Sequence, residues 1–256
     1  MPRQSWRRGL VVEALRRAQR VAVLTGAGIS AESGIPTFRD ALTGLWADYS
    51  PEELATPEGF RRNPDLVWSW YRSRRLAVAK ALPNPGHLAL AALEHLVPQL
   101  TLITQNVDGL HLRAGSRDPI ELHGNIARVK CCDCGRIAAE FADTDRVPSC
   151  ADCGGLLRPD VVWFGEMLPA AALRRAQAAS ASADLFLSVG TSNVVEPAAS
   201  LPWQAAASGA VVVVVNTDAG GQHSGAGIHH LIGPAGTVLP DLIRQVWPDA
   251  RSESTA

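Results

Sequence analysis

The chain holds 256 residues, 46% of them hydrophobic and 19% charged, as in an ordinary globular protein. Its 24 basic and 25 acidic residues leave a formal net charge of −1, which gives no bulk electrostatic reason to expect a nucleic-acid or membrane partner. No apolar run reaches the ~18 residues needed to cross a bilayer, so no spanning helix is expected.

In chain order, MPRQSWRRGLVVEALRRAQR interleaves its arginines with apolar residues and lacks the separate basic, apolar and cleavage regions of a signal peptide. Leu10, Ala14, Leu15 and Ala18 share one helical face, and a cytoplasmic protein is expected. Residues 21–25, VAVLT, read as a buried strand entering the glycine turn GAGIS. Residues 40–80 carry helical pieces with Trp46, Trp68, Trp70 and Tyr71 but no convincing strand. A helix is expected over 87–96, then a strand over 100–104. Residues 128–160 hold the cysteines and little apolar periodicity. A helix over 171–183 and strands over 183–190 and 210–216 follow. His223, His229 and His230 fall in what reads as a polar loop, and 249–256 as a flexible tail.

Strands apolar throughout, alternating with helices, predict an α/β fold: a Rossmann-type parallel sheet with helices on both faces, plus a small zinc-binding and helical lobe. The sheet domain is expected to be discontinuous, over 1–40, 81–127 and 161–248, with the lobe formed by 41–80 and 128–160.

All five cysteines lie between 131 and 153. Cys131 and Cys134 form one C-x-x-C pair and Cys150 and Cys153 a second, 15 residues on, the spacing of a zinc ribbon. Four thiolates leave no open coordination position, so the Zn²⁺ is expected to be structural. Cys132 is the odd one: it could replace Cys131 as a ligand, but the regular two-residue gap favours Cys131 and Cys134.

Gly26, Gly28 and Ala31 fit the G-x-G-x-x-G/A fingerprint directly after a strand, where a pyrophosphate can approach the backbone. A dehydrogenase would place a second strand ending in an acid ~20 residues on. Here that region is a proline-punctuated loop and helix, which disfavours hydride transfer. Gly190-Thr191-Ser192 follows a strand, and Asn216 ends the valine run, so both offer polar groups on the same rim. Gln105, Asn106 and Asp108 cluster at the end of the 100–104 strand and can hold a ribose and an amide, or form an Asx-rich turn. Among seven histidines, His123 stands out beside Gly124, which leaves room for a ligand, just before the cysteine segment. An imidazole with a pKa of ~6.5 suits a general base at neutral pH. His87 and His95 fall on a helix and are expected to pack or cap.

These motifs in this order resemble the sirtuin family: GAGISAESGIPTFRD at 26–40, TQNVDGLH at 104–111, LHG at 122–124, the paired cysteines, RPDVVWFGE at 158–166, GTS at 190–192, VNTD at 215–218 and GPAG at 233–236. The resemblance covers roughly residues 8–247. It implies an inverted Rossmann-type domain, NAD consumed as a co-substrate and one structural zinc. It implies that Gly26, Ala27 and Gly28 face the NAD phosphates and that Phe38 and Arg39, with Trp46 on the same cofactor side, position the nicotinamide half. It further implies that Gln105 and Asn106 hold ribose, that Asp108 meets the nicotinamide amide, and that Gly190, Thr191, Ser192, Asn216 and Ala235 surround adenosine. His123 would be the general base. In the mechanism implied, the substrate's acyl oxygen attacks the ribose and nicotinamide leaves. His123 then deprotonates a ribose hydroxyl, giving free lysine and O-acyl-ADP-ribose. Val162, Trp163 and Phe164 would line the acyl-lysine channel, and that stretch could take the substrate backbone as an added strand.

Tyr71 and Arg74 are three apart on a predicted helix and share a face. This Y-x-x-R resembles the class III sirtuin signature for malonyl, succinyl and related acidic acyl groups, since a guanidinium and a phenol can clamp a carboxylate. Ala55 matches a small residue that leaves room for the longer chain. The expected partners are acyl-lysine side chains of proteins, with no nucleic acid and no membrane, the chain itself being a monomer or weak oligomer. Two other readings are an ADP-ribosyltransferase on the same fold and a non-catalytic zinc-ribbon module with a nucleotide sensor.

Overall fold

The computed structural model describes residues 2–36, 48–192, 194–218 and 227–249, with side chains from Arg8 onward. Phe38, Arg39, Trp46 and His223 lie outside these residues, as do residues 250–256 of the expected tail.

Helix α1 (Pro2–Arg17) leads into strand β1 (Arg20–Thr25), which ends in the short helix α2 (Ala27–Ala31). Four helices follow, α3 (Pro51–Leu54), α4 (Pro57–Arg62), α5 (Pro64–Lys80) and α6 (Pro85–Leu96). Each begins with the same local chemistry: Ser50, Thr56, Asn63 and Asn84 accept a backbone N–H of the first turn, and proline fills the next position, where no N–H is needed. Then come β2 (Gln99–Thr104), α7 (Leu110–Arg113), β3 (Ile120–Glu121), the hairpin β4 (Gly124–Cys131) and β5 (Leu157–Val161), α8 (Ala170–Ser182), β6 (Leu185–Val189), α9 (Leu201–Ala207), β7 (Val211–Asn216), β8 (Ile228–Ile232) and α10 (Ala235–Val246).

Six strands form one parallel sheet in the order β3-β2-β1-β6-β7-β8, while β4 and β5 pair antiparallel. Side chains alternate between the two faces. Val21 and Val23 of β1 and Leu185, Leu187 and Val189 of β6 pack with α1, α6 and α10. Ala22, Leu24 and Phe186 pack with α8 and α9. The strand order reverses between β1 and β6, and in such sheets ligands bind at the carboxyl ends of the strands beside that reversal. Among the described residues no helix is long and apolar enough to cross a membrane.

Two smaller clusters lie beyond the sheet. Leu54, Phe60, Trp70, Tyr71, Ile126, Val161 and Trp163 make one, and Trp68, Val129, Cys131, Cys150 and Leu157 the other. Helix α5 joins them, turning Trp70 and Tyr71 to the first and Trp68 to the second. His229 and His230, expected in a loop, lie in β8, because among the described residues that strand pairs only with β7 at the sheet edge and tolerates polar residues a central strand would exclude.

Candidate active site

The turns that follow β1 and β6 are interlocked. Gly26 N–H donates to the Val189 carbonyl at 3.0 Å and Gly28 N–H to the Gly190 carbonyl at 2.8 Å. A Cβ on Gly28 would lie 2.8 Å from Gly190 Cα, and one on Gly190, at φ +60°, would lie 2.4 Å from Ile29 N. The glycine pattern is therefore required first by this backbone-on-backbone contact, whatever else the turn receives. Asn216 joins the same rim: its Nδ2 donates to the Thr191 carbonyl at 3.2 Å and its Oδ1 accepts Thr217 N–H at 2.9 Å.

Beneath the rim, Ser30 of α2 is a hub. Its hydroxyl donates to Asp108 Oδ2 at 2.8 Å and accepts from Asn106 Nδ2 at 3.1 Å. His87 Nδ1 accepts the Asn84 N–H at 3.3 Å, so its Nε2–H is the donor facing Ser30 Oγ at 3.4 Å. Asn106 Nδ2 also donates to the Gly26 carbonyl at 3.0 Å. Both its amide hydrogens are thereby engaged, and what Asn106 can offer a ribose hydroxyl is the acceptor Oδ1. The second Asp108 oxygen accepts Leu110 N–H at 2.9 Å. Nothing in the sequence singles out Ser30 within its motif, because its partners come from residues 57 to 78 positions away.

His123 follows the edge strand β3 and precedes the hairpin. Its Nδ1 lies 2.9 Å from the Gln105 carbonyl. A carbonyl only accepts, so Nδ1 carries the proton and Nε2 keeps a lone pair. Burial pushes the imidazole below its ordinary 6.5, against the opposing pull of that hydrogen bond, and so keeps the ring neutral near pH 7. Gly124 has a different use from the ligand approach expected of it. At φ +79° a Cβ there would meet the Asp160 carbonyl at 2.0 Å, so glycine is what lets the hairpin close directly after His123.

These groups open on one cavity of about 850 Å³. Gly26, Ala27, Gly28, Gly190, Thr191, Ser192 and Asn216 line one end, and Gln105, Asn106, Asp108 and His123 the middle. Ala55, Tyr71, Arg74, Val162, Trp163 and Phe164 line the other end, together with Val78 and Glu166, which the sequence had not marked. Ala235 is not among the lining residues. It is buried at the first turn of α10, against Gly86.

The helical end is built from side chains. Trp163 Nε1–H donates to the Tyr71 hydroxyl oxygen at 3.0 Å, and both residues are almost fully buried. Burial pushes the Tyr71 phenol up to about 12, despite the nearby Arg74 cation. The Arg74 guanidinium carbon lies 4.9 Å from the Trp70 ring centroid, and burial lowers its pKa, opposed by Tyr71 and Asp108. The flanking Arg72 and Arg75 are turned elsewhere, to Asp145 and Asp143. The Val162 N–H donates to the His123 carbonyl and the Phe164 N–H to the Ala55 carbonyl, each at 2.9 Å. The Trp163 N–H is held by Glu166 Oε2 at 2.8 Å and the Trp163 carbonyl accepts the Glu166 N–H at 3.0 Å, so both backbone groups of Trp163 are engaged within this stretch.

Outside the cavity, the sulfurs of Cys131, Cys134, Cys150 and Cys153 all lie within 4.8 Å of one another. The Cys131 and Cys153 sulfurs lie 3.5 Å apart and those of Cys134 and Cys150 3.9 Å apart. A tetrahedron with Zn–S bonds near 2.3 Å has edges of ~3.8 Å, so the four thiols fit one Zn²⁺. Cys132 is not part of the cluster.

Comparison with known proteins agrees with this geometry. The Sir2 family pattern matches residues 26–197. The "NAD-dependent protein deacylase 1" of Pseudomonas aeruginosa is 53% identical over 251 residues, covering 93% of this chain and 98% of that one. A Sir2 homolog solved as an NAD complex superposes with a TM-score of 0.87 at 44% identity, covering 94% of each chain. The structure of Sir2Af2 bound to a myristoylated histone peptide gives a TM-score of 0.76 at 36% identity, covering 95% of this chain and 98% of that one. With its interlocked glycine turns, anchored histidine and four-cysteine cluster, this chain belongs to the Sir2 family.

Proposed function

We propose that this protein is an NAD-dependent protein-lysine deacylase that prefers acyl groups ending in a carboxylate, such as succinyl or malonyl, and also removes acetyl. The observation that carries the preference is the pairing of Tyr71 and Arg74 on the wall of the cavity, at the end away from the glycine turns. The phenol stays protonated and the guanidinium charged, so both are donors. A carboxylate on the acyl chain is the complementary ligand, and paired charge-assisted hydrogen bonds would hold it.

NAD, when bound, supplies a ribose carbon open to attack by the acyl oxygen and a nicotinamide leaving group. Gly26, Ala27, Gly28 and Gly190 would hold its phosphates and adenosine half. Asn106 would accept a ribose hydroxyl, and Asp108 would face the nicotinamide amide. His123 would take a proton from a ribose hydroxyl at Nε2, the nitrogen its anchor leaves unprotonated. The ribose hydroxyl would attack the acyl carbon, and one water would be consumed as the lysine amine is released, so that nicotinamide, free lysine and O-acyl-ADP-ribose leave. The substrate is an acyl-lysine side chain entering beside Val162, Trp163 and Phe164.

The test is nicotinamide release with NAD and matched succinyl-lysine and acetyl-lysine peptides. Wild type is expected to favour succinyl, and Arg74→Met to reverse that order by raising the succinyl KM more than tenfold, since hydrogen bonds to charged groups are each worth about 1.5–3 kcal/mol. Equal turnover of both peptides, with no response to Arg74→Met, would sink the acidic-acyl reading and leave a plain deacetylase.

A further inference from the structure

Trp163 has a second relation to the acyl site, separate from lining it. An indole N–H can only donate, so at 3.0 Å the Tyr71 oxygen can only accept from it. The single phenol hydrogen then has to point elsewhere. Accepting one hydrogen bond also polarises the O–H and strengthens it as a donor. The ring that performs this is held on three sides. The Arg158 guanidinium lies over it, with its carbon 3.3 Å from the ring centroid. Arg158 in turn grips Glu166 through two parallel hydrogen bonds, Nη1 to Oε1 at 2.5 Å and Nη2 to Oε2 at 2.8 Å. Glu166 closes the loop by accepting the Trp163 backbone N–H at 2.8 Å, and Phe60 packs at 5.3 Å between ring centroids. Burial disfavours the Glu166 anion, but the bonds from Arg158 and Trp163 outweigh it and hold the carboxyl below its ordinary range.

We infer that Trp163 is a positioning residue for acyl specificity: its N–H turns the Tyr71 hydroxyl into a donor aimed at the acyl terminus, and the Arg158–Glu166 pair locks the indole in the orientation that does so. This rests on the acidic-acyl reading of Tyr71 and Arg74. A neutral acetyl terminus has no acceptor for such a donor, whereas a carboxylate does. A phenylalanine at 163 would keep the ring but release the phenol to rotate.

The experiment compares kcat/KM for succinyl-lysine and acetyl-lysine peptides in wild type, Trp163→Phe, Tyr71→Phe and the double variant. Trp163→Phe is expected to lower the succinyl-to-acetyl ratio ~3- to 10-fold, the range of one neutral hydrogen bond, and to do so through the succinyl KM rather than kcat. The double variant is expected to fall no further than Tyr71→Phe, because both changes remove one interaction. Arg158→Lys, which keeps the charge but loses the planar guanidinium over the ring, supplies a second variant with the same expected direction. Equal loss for both peptides, or a full additional loss on the Tyr71→Phe background, would mean that Trp163 only supports the fold. If the ratio survives in Trp163→Phe while Arg74→Met destroys it, the positioning role falls and the acidic-acyl reading stands. If wild type shows no succinyl preference at all, both fall together.

Discussion

The two ends of the cavity are made of different material. Toward β1 and β6 the wall is backbone, with Gly26, Gly28 and Gly190 in contact and no room for a single Cβ. Toward α5 it is side chain: a phenol, a guanidinium and an indole braced by an arginine–glutamate pair. A backbone wall is nearly all-or-none, because substituting any of its residues disturbs the main chain itself. A side-chain wall can be rewritten one residue at a time without moving the sheet. On the proposed reading, cofactor recognition would lie in the part of the fold least able to change, and acyl choice in the part most able to.

His123 lies where the two ends meet, and its removal tests whether they serve one reaction. His123→Ala is expected to lower kcat/KM by ~10²–10⁴ for succinyl and acetyl peptides alike, the usual worth of a positioned base. In wild type the acid limb of the kcat/KM profile should fall below pH 6.5, because burial lowers this imidazole's pKa and keeps the base form present as pH drops. A loss confined to one peptide would separate the ends.

Gly190→Ala probes the backbone end. Its Cβ would meet Ile29 N at 2.4 Å from a left-handed backbone, and overpacking of that kind costs about 1–3 kcal/mol. The KM for NAD should rise roughly 5- to 150-fold with the same factor for every acyl peptide, the opposite pattern to Arg74→Met. A shift in acyl preference on Gly190→Ala would break the division between the two walls.

The smallest effect concerns what lies under the backbone wall. His111 Nε2 meets Thr25 Oγ1 at 2.9 Å, and Thr25 Oγ1 meets Thr104 Oγ1 at 2.8 Å, tying together the ends of β1 and β2. Its Nδ1 has no hydrogen-bond partner among the described residues, and burial followed by the neighbouring His87 pushes its pKa down to about 3. The unfolded chain takes up this proton near 6.5 and the folded one only near 3. Its contribution to stability is therefore complete above 6.5 and lost as pH falls through that window, by up to about 1.4 kcal/mol per unit. Urea unfolding at pH 7 and pH 5 should show a smaller acid loss in His111→Asn than in wild type. Equal slopes would acquit His111.

The same contrast explains what the sequence let through. The run VAVLT is buried on both faces, and LTLIT and VVVVV are so over most of their length, so hydropathy alone marks β1, β2 and β7, and the glycine turn and paired cysteines have fixed local spacing. β8 was missed because an edge strand with two histidines carries no such signature. Ser30 and the Arg158–Glu166 brace were missed because they acquire meaning only from partners that the fold brings to them. Tyr71 and Arg74 were legible as a pair, since helical spacing places them on one face, but the Trp163 hydrogen bond spans 92 residues and no local pattern announces it.

The contact between Gly28 and Gly190 also sets a clock on synthesis. Its two halves leave the ribosome more than half the chain apart, and bringing them together closes a long loop whose entropy must be met by sheet contacts already in place. A nascent chain that has not yet emerged through β6 has β1 and its glycine turn but no partner turn to lock against, so on the proposed reading its dinucleotide site cannot be complete before β6 joins the sheet.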